Sequence, residues 1–281
     1  MMDRNIIITI ALFVLLTAGI CRPACPNEDA KSKCQIQPEA DPLDKVLKQL
    51  KLSTEKLKSY QANVEYLFRQ PALFDSQQLR KGVLYYAKIG KSSKLRINFR
   101  TLKQDDEKQQ KYAEHFILDG IWLTQIDYQL KTATRYQTTD PNTLADPNKP
   151  IDAFELISRN FPIVGFSKTE DLKKQFDITL LLQDESELSP FIRLQLKVKP
   201  DSIYKDDYTS MDFWIDKKTY LPAKIIAISV EEDIYEIKLL KPRINKVIAG
   251  KVFDFKIPKG FDVKEEPLRK NTKQDDKPKN R

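Results

Sequence analysis

The sequence predicts an α+β protein organised on one large antiparallel sheet. About eleven short runs have strand character, and the connections between them are too brief for parallel crossovers. Tyr60–Arg69 alternates with period two: Tyr60, Ala62, Val64, Tyr66 and Phe68 share one face, and Gln61, Asn63, Glu65 and Arg69 share the other. Leu95–Arg100 repeats this, with Leu95, Ile97 and Phe99 opposite Arg96, Asn98 and Arg100. Helical periodicity is confined to one early stretch and two mid-chain stretches, which suits a cover laid over an apolar sheet face.

The first helix opens at Asp41-Pro42, and Leu43, Val46, Leu47 and Leu50 fall on one stripe at i, i+3, i+4 and i+7. Asp44 stands in the first turn, where a carboxylate suits the helix dipole. Another turn is expected at Ser53–Lys58 with Leu57 inward, and the strand that follows is the nearest surface for the stripe. Strands are expected at Tyr60–Arg69, Leu79–Lys88, Leu95–Leu102, Glu114–Leu118, Ile121–Ile126 and Thr132–Tyr136, with Lys103–Lys111 a solvated loop. Asp119-Gly120 is the hairpin signal in this meander. Ile151–Asn160 reads as a helix capped by Asp152, with Phe154 and Ile157 on its stripe, and Thr169–Phe176 as a shorter one. A second meander follows through Asp177–Leu182, Ile192–Val198, Met211–Ile215, Ala223–Val230, Ile234–Leu239 and a closing Val252–Phe255.

The termini read differently from this core. Asp3-Arg4, the apolar run Ile6–Leu16 and the small residues Thr17, Ala18 and Gly19 have the form of a secretory signal peptide, residues 1–21. An uncleaved anchor and lipidation at Cys21 are the alternatives; Ile20 is bulky for the residue before a lipidated cysteine. Residues 22–41, rich in Pro, Lys, Glu and Asp, read as a flexible leader, 42–263 as the folded domain, and 264–281 as a disordered charged tail. Cys25 and Cys34 either close a small loop after export or stay as unpaired thiols.

Charge and motifs exclude several function classes. The formal net charge is +8, of which +3 lies in Lys264–Arg281, and the rest is interspersed without an aromatic-laced basic stripe. That argues against nucleic acid as a partner and leaves at most a weak attraction to anionic membrane surfaces. The single histidine, His115, sits in a strand pattern and reads as a strand-surface residue. No Gly-rich phosphate loop, Cys-x-x-Cys or Gly-x-Ser-x-Gly occurs. Asp105-Asp106-Glu107 and Glu231-Glu232-Asp233 read as loop tips, without the ligand alternation of a calcium loop. No catalytic set, cofactor or metal is expected.

The order of the pieces is more specific than any one of them. Lys58-Ser59-Tyr60-Gln61-Ala62, Gly82-Val83-Leu84-Tyr85, Leu95-Arg96-Ile97-Asn98-Phe99 and Asp119-Gly120-Ile121-Trp122 occur in sequence. Phe154–Asn160, Asp216–Pro222 and Phe255–Phe261 follow them. In this order and spacing, from about Leu43 to Val263, the chain resembles the LolA-like periplasmic lipoprotein carrier family. The resemblance implies an open, incomplete antiparallel β-barrel with helices covering its concave face, which shelters the acyl chains of a lipoprotein bound for the outer membrane. Each methylene left in water costs about 0.8 kcal/mol, so an apolar trough with a movable roof suffices.

On that resemblance the cavity is lined by Val64, Tyr66, Phe68, Leu84, Tyr86, Leu95, Ile97, Phe99 and Trp122, and Phe154 and Ile157 come from the lid. The implied partners are lipid-modified proteins, an inner-membrane release complex and an outer-membrane acceptor. One departure concerns the lid. The family has Arg-Pro after the second strand, its Arg tying lid to barrel, whereas this chain has Ala87-Lys88-Ile89-Gly90, with Lys88 the nearest substitute. A module of the same fold that senses lipoproteins or envelope stress is the alternative reading.

Overall fold

The structure, a computed structural model, describes residues 41–90, 92–140, 152–157, 161, 163, 169–181 and 189–268. The signal, the leader as far as residue 40, the three cysteines and the tail beyond Leu268 lie outside the described residues. Helix α1 (Pro42–Glu55) starts where Asp41 accepts the Leu43 N–H at 3.0 Å and Pro42 takes the first helical position. Twelve strands follow among the described residues: β1 (Ser59–Gln70), β2 (Ser76–Ile89), β3 (Ser92–Gln104), β4 (Gln110–Asp119), β5 (Trp122–Asp127) and β6 (Thr132–Gln137) before two short helices. After α2 (Ala153–Ile157) and α3 (Thr169–Gln175) come β7 (Phe176–Leu181), β8 (Phe191–Val198), β9 (Tyr208–Asp216), β10 (Pro222–Ser229), β11 (Ile234–Ile244) and β12 (Asp262–Glu266).

They form one sheet in the order β12-β6-β5-β4-β3-β2-β1-β11-β10-β9-β8-β7, with β12 and β7 at its two ends, so the barrel is open. Every neighbouring pair is antiparallel except β12–β6, which is parallel with Val263 opposite Ala133. The long pairing of β1 with β11, Tyr66 opposite Ile237, joins the two meanders. The period-two pattern holds across these joins: Val64, Tyr66, Ile237, Leu239, Leu84, Ile97 and Phe116 bury themselves together on the concave face.

Three expectations about the elements are corrected. The α1 stripe does not rest on β1. Leu47 and Leu50 pack with Leu172 of α3 and with Phe176, Leu194, Met211, Phe213 and Ile225, so α1 and α3 roof the β7–β10 half while Leu57 alone joins the β1–β5 cluster. Val252–Phe255 forms no ladder; Val252 ends a 3₁₀ turn (Gly250–Val252), and the Val252 and Asp254 carbonyls are taken by a side chain. Lys264–Glu266, read as tail, belongs to β12.

The convex face is therefore partly covered. Phe255, Ile257 and Phe261 of the C-terminal segment pack on Ile117, Ile126 and Ala133. Arg96 clasps that segment by donating Nη1 to the carbonyls of Val252 (2.8 Å) and Asp254 (3.0 Å). Its Nη2 faces His115 Nδ1 at 3.2 Å, and the His115 ring meets Tyr128 edge-on. His115 is thus half-buried under the segment and not a plain surface residue. Burial, then the charges of Arg96 and Arg100, pull its pKa down to about 4 from 6.5. Between those values the unfolded chain binds the extra proton, so stability is complete above about pH 6.5 and falls toward pH 4. Melting curves across that range should show a wild-type decline that His115→Gln reduces; parallel curves would refute this assignment.

Candidate functional site: a lidded apolar trough

The trough lies on the concave face of β1 to β5. Val64, Leu84, Tyr86, Leu95, Ile97 and Phe99 are each at most 2% exposed, Tyr66 is 9% exposed, and Phe68 packs at the margin on Tyr235. Their rings interlock: Tyr66 lies 6.0 Å from Phe99 and 5.6 Å from Phe161, and Phe161 meets Phe116 edge-on at 4.7 Å. Alternation along β1, β2 and β3 places these side chains, and the direct pairing of Tyr60 with Tyr86 and of Leu84 with Ile97 brings them into register.

The sequence-derived set is brought together with one exception. Trp122 lies on the convex side, with the Arg135 guanidinium 4.7 Å over its ring. The hairpin loop is Gly120-Ile121, so Asp119 pairs with Trp122 and Leu118 with Leu123. Leu123 is consequently the inward residue of β5, buried at 1% in the trough cluster. A one-residue change in where the return strand begins exchanges the two faces.

The roof over this half is α2 together with Phe161 and Ile163. Phe154, Ile157, Phe161 and Ile163 are all at most 4% exposed and fill the trough, so the chain's own side chains occupy the space. Phe154 stacks on Tyr86 at 4.4 Å between ring centroids. Asp152 holds this arrangement from both sides. Its Oδ1 accepts the Phe154 N–H at 2.9 Å, and its Oδ2 accepts the Tyr86 hydroxyl at 2.7 Å. The Ala153 N–H donates to Ser93 Oγ at 2.6 Å. Burial first, then the Asp152 charge, push the Tyr86 hydroxyl far above its ordinary pKa, so it stays a donor. Lys88, by contrast, lies in the exposed end of β2, and its N–H is bonded to the Lys58 carbonyl. The fastening of α2 therefore runs through Tyr86, Asp152 and Ser93.

Sequence reasoning missed a second feature of the same face. Arg80, directly opposite Tyr66, pairs with Glu114, directly opposite Phe99, at 3.0 Å. Gln125 donates to the other Glu114 oxygen at 2.8 Å, and Tyr136 donates to Gln125 at 3.2 Å. Burial raises the Glu114 pKa, against the attraction of Arg80 and the Gln125 hydrogen bond. The signal was available: Gln78 and Arg80 are in phase with Leu84 and Tyr86 across Gly82, and Glu114 is in phase with Phe116.

The fold and site define a class: an open, twelve-stranded half-barrel whose concave apolar trough is roofed by short helices. A scan against family models and a search of curated proteins give no match. Solved structures of similar shape exist. An uncharacterized conserved protein from Thermus thermophilus is 10% identical, covering 80% of this chain and 100% of that one, with a TM-score of 0.45. A chain in the Pseudomonas aeruginosa MucA/MucB complex is 12% identical over 75% of this chain and 60% of that one, with a TM-score of 0.40. A putative outer membrane lipoprotein-sorting protein domain from Vibrio parahaemolyticus is 13% identical, covering 75% and 95%, with a TM-score of 0.37. This chain thus spans less than two thirds of the MucA/MucB-complex chain that it matches.

Proposed function

We propose that this protein is an exported, non-enzymatic carrier that shelters the acyl chains of lipid-modified proteins on their way to the outer membrane. The observation that carries the reading is the trough: a concave face, apolar apart from the Arg80–Glu114 pair, filled by Phe161, Ile163 and a five-residue helix that is fastened to it by a few polar contacts. An element that short gains almost nothing from its own backbone hydrogen bonds and stays in place by packing. It is therefore the natural moving part.

Magnitudes favour a cargo with several chains. Lifting Phe154, Ile157, Phe161 and Ile163 out of the trough exposes side chains whose burial is worth about 1.5–3 kcal/mol each, so roughly 6–12 kcal/mol in all. One long acyl chain of roughly fifteen methylenes returns about 12 kcal/mol at best. Association itself costs about 4–15 kcal/mol, so the total is roughly 10–27 kcal/mol; a single chain meets only its lower end, two chains at about 24 kcal/mol cover most of it, and three at about 36 kcal/mol exceed it. On this reading the Val64, Tyr66, Phe68, Leu84, Tyr86, Leu95, Ile97 and Phe99 side chains contact the chains, and Phe154 and Ile157 give way. The donor and acceptor would be an inner-membrane release complex and an outer-membrane receptor.

The test is direct. Solvent extraction of the purified exported protein should yield lipid or lipoprotein in stoichiometric amount, and added protein should release lipoproteins from inner-membrane vesicles. An empty protein that also releases nothing would refute the carrier function.

A further inference from the structure

Resting on the carrier reading, the geometry points to Arg80 as the site that receives the carbonyl oxygen of the ester or amide joining an acyl chain to its headgroup. The Arg80–Glu114 pair lies within the trough, not on its rim: the Glu114 side chain is 2% exposed and that of Arg80 23%. Both charges act on the hydroxyl of Tyr66, a trough residue whose own ring touches Phe99 and Phe161. A buried ion pair on an apolar face is poor construction for stability alone, because well-packed apolar residues of the same volume usually do as well or better.

The donor inventory shows what the pair leaves open. A guanidinium has five N–H groups in a fixed fork. On Arg80, Nη1 donates to Glu114 at 3.0 Å and Nη2 to Gln78 Oε1 at 3.2 Å, while the cation lies 5.7 Å over the Tyr112 ring. Nε is fully buried and, among the described residues, has no hydrogen-bond partner. Such an orphaned donor is unusual in a native interior and costs about 1–3 kcal/mol until an acceptor arrives.

The chemistry of the acceptor follows from its surroundings. Glu114 already neutralises Arg80, and Asp127 stands opposite Glu114 in the next strand, holding the Tyr112 hydroxyl at 3.1 Å. A carboxylate or phosphate brought here would crowd a third negative charge against those two. A neutral carbonyl oxygen accepts one N–H without that repulsion. Position agrees with this. Arg80 lies toward the β1–β2 turn, and Tyr86, under the α2 roof, lies six residues further along β2. At about 3.3 Å per residue that is a trough of roughly 20 Å. Half the hydrocarbon core of a bilayer, the reach of one acyl chain, is about 15 Å. A chain whose carbonyl sits on Arg80 thus lays its tail along about three quarters of the distance to Tyr86.

The experiment compares an S-diacylglyceryl cysteine peptide with its dialkyl-ether counterpart of equal chain length, titrated into the purified exported protein. Wild type should bind the ester about tenfold more tightly, the worth of one hydrogen bond to a charged donor. Arg80→Lys keeps a cation for Glu114 but has no donor at the Nε position, and should bind ester and ether alike at the wild-type ether affinity. A dialkyl phosphate with the same two chains should gain nothing over the ether. Equal affinity of wild type for ester and ether overturns the assignment even if Arg80→Lys fails to fold. So does an ester preference that survives in Arg80→Lys, or a dialkyl phosphate that binds more tightly than the ether. Binding of neither peptide overturns the carrier reading itself, and this inference with it.

Discussion

Gly82→Ala is expected to destabilise the protein by about 3 kcal/mol or more and to lower the melting temperature by roughly 10 °C. A Cβ built on Gly82 meets the Asn98 carbonyl oxygen at 2.0 Å and the Phe99 Cα at 2.8 Å, all backbone atoms of β3 that have nowhere to go. The register explains the crowding. β3 carries an extra residue opposite the step from Lys81 to Gly82, and this bulge bends the two strands across each other. The bend folds Val64, Leu84 and Ile97 into a concave surface. Gly250→Ala is the control: nothing lies within 4 Å of its Cβ, and its melting temperature should stay within a degree or two. If Gly82→Ala melted with the control, the close approach of β2 and β3 would have no energetic weight.

Asp152→Ala should have the largest effect on the roof, with Tyr86→Phe next. The hydroxyl–carboxylate hydrogen bond of 2.7 Å joins roof to sheet, and the other Asp152 oxygen caps α2 at the Phe154 N–H. A hydrogen bond to a charged group is worth about 1.5–3 kcal/mol, so Tyr86→Phe should raise the open fraction roughly ten- to a hundredfold. The readout is amide exchange at Phe154 and Leu156, whose N–H groups bond to Asp152 in the closed form. Both should exchange faster, and an apolar fluorescent dye should enter and leave faster. The stacking of Phe154 on Tyr86 survives in Tyr86→Phe, so the change isolates the hydroxyl. Unaltered exchange in Asp152→Ala would show that packing alone holds the roof.

The sheet was legible because β alternation is a local property. Tyr60 to Phe68, and Leu95 to Phe99, announce a buried face whatever they pair with, and the structure buries those faces together. The start of α1 was equally plain, since Asp41 and Pro42 act within their own turn. What escaped depends on distant partners. The α1 stripe fits either half of the concave face, and only the presence of Phe213, Ile225 and α3 decides for the second. The inward phase of β5 turns on a hairpin of Gly120-Ile121, one residue later than the Asp-Gly signal suggests. Asp152 showed its cap but not its bond to Tyr86, sixty-six residues earlier in the chain. The inward phase of Arg80 and Glu114 is readable from their own runs, but their pairing is not, because it joins residues thirty-four positions apart.

The parallel strand β12 has a consequence for how the molecule is made. The β1–β6 and β7–β11 meanders consist of neighbours in sequence and can each zip from local turns. β12 instead closes on β6 from about 130 residues away, with Glu265 paired to Arg135, and it follows the segment that caps Ile117 and Ile126. Until the last residues of the domain have emerged, the β6 edge is an open template for a foreign strand. A chain that crosses a membrane amino terminus first would hold that edge exposed throughout its passage. A protein cut short after β11 would leave the β6 edge unpaired.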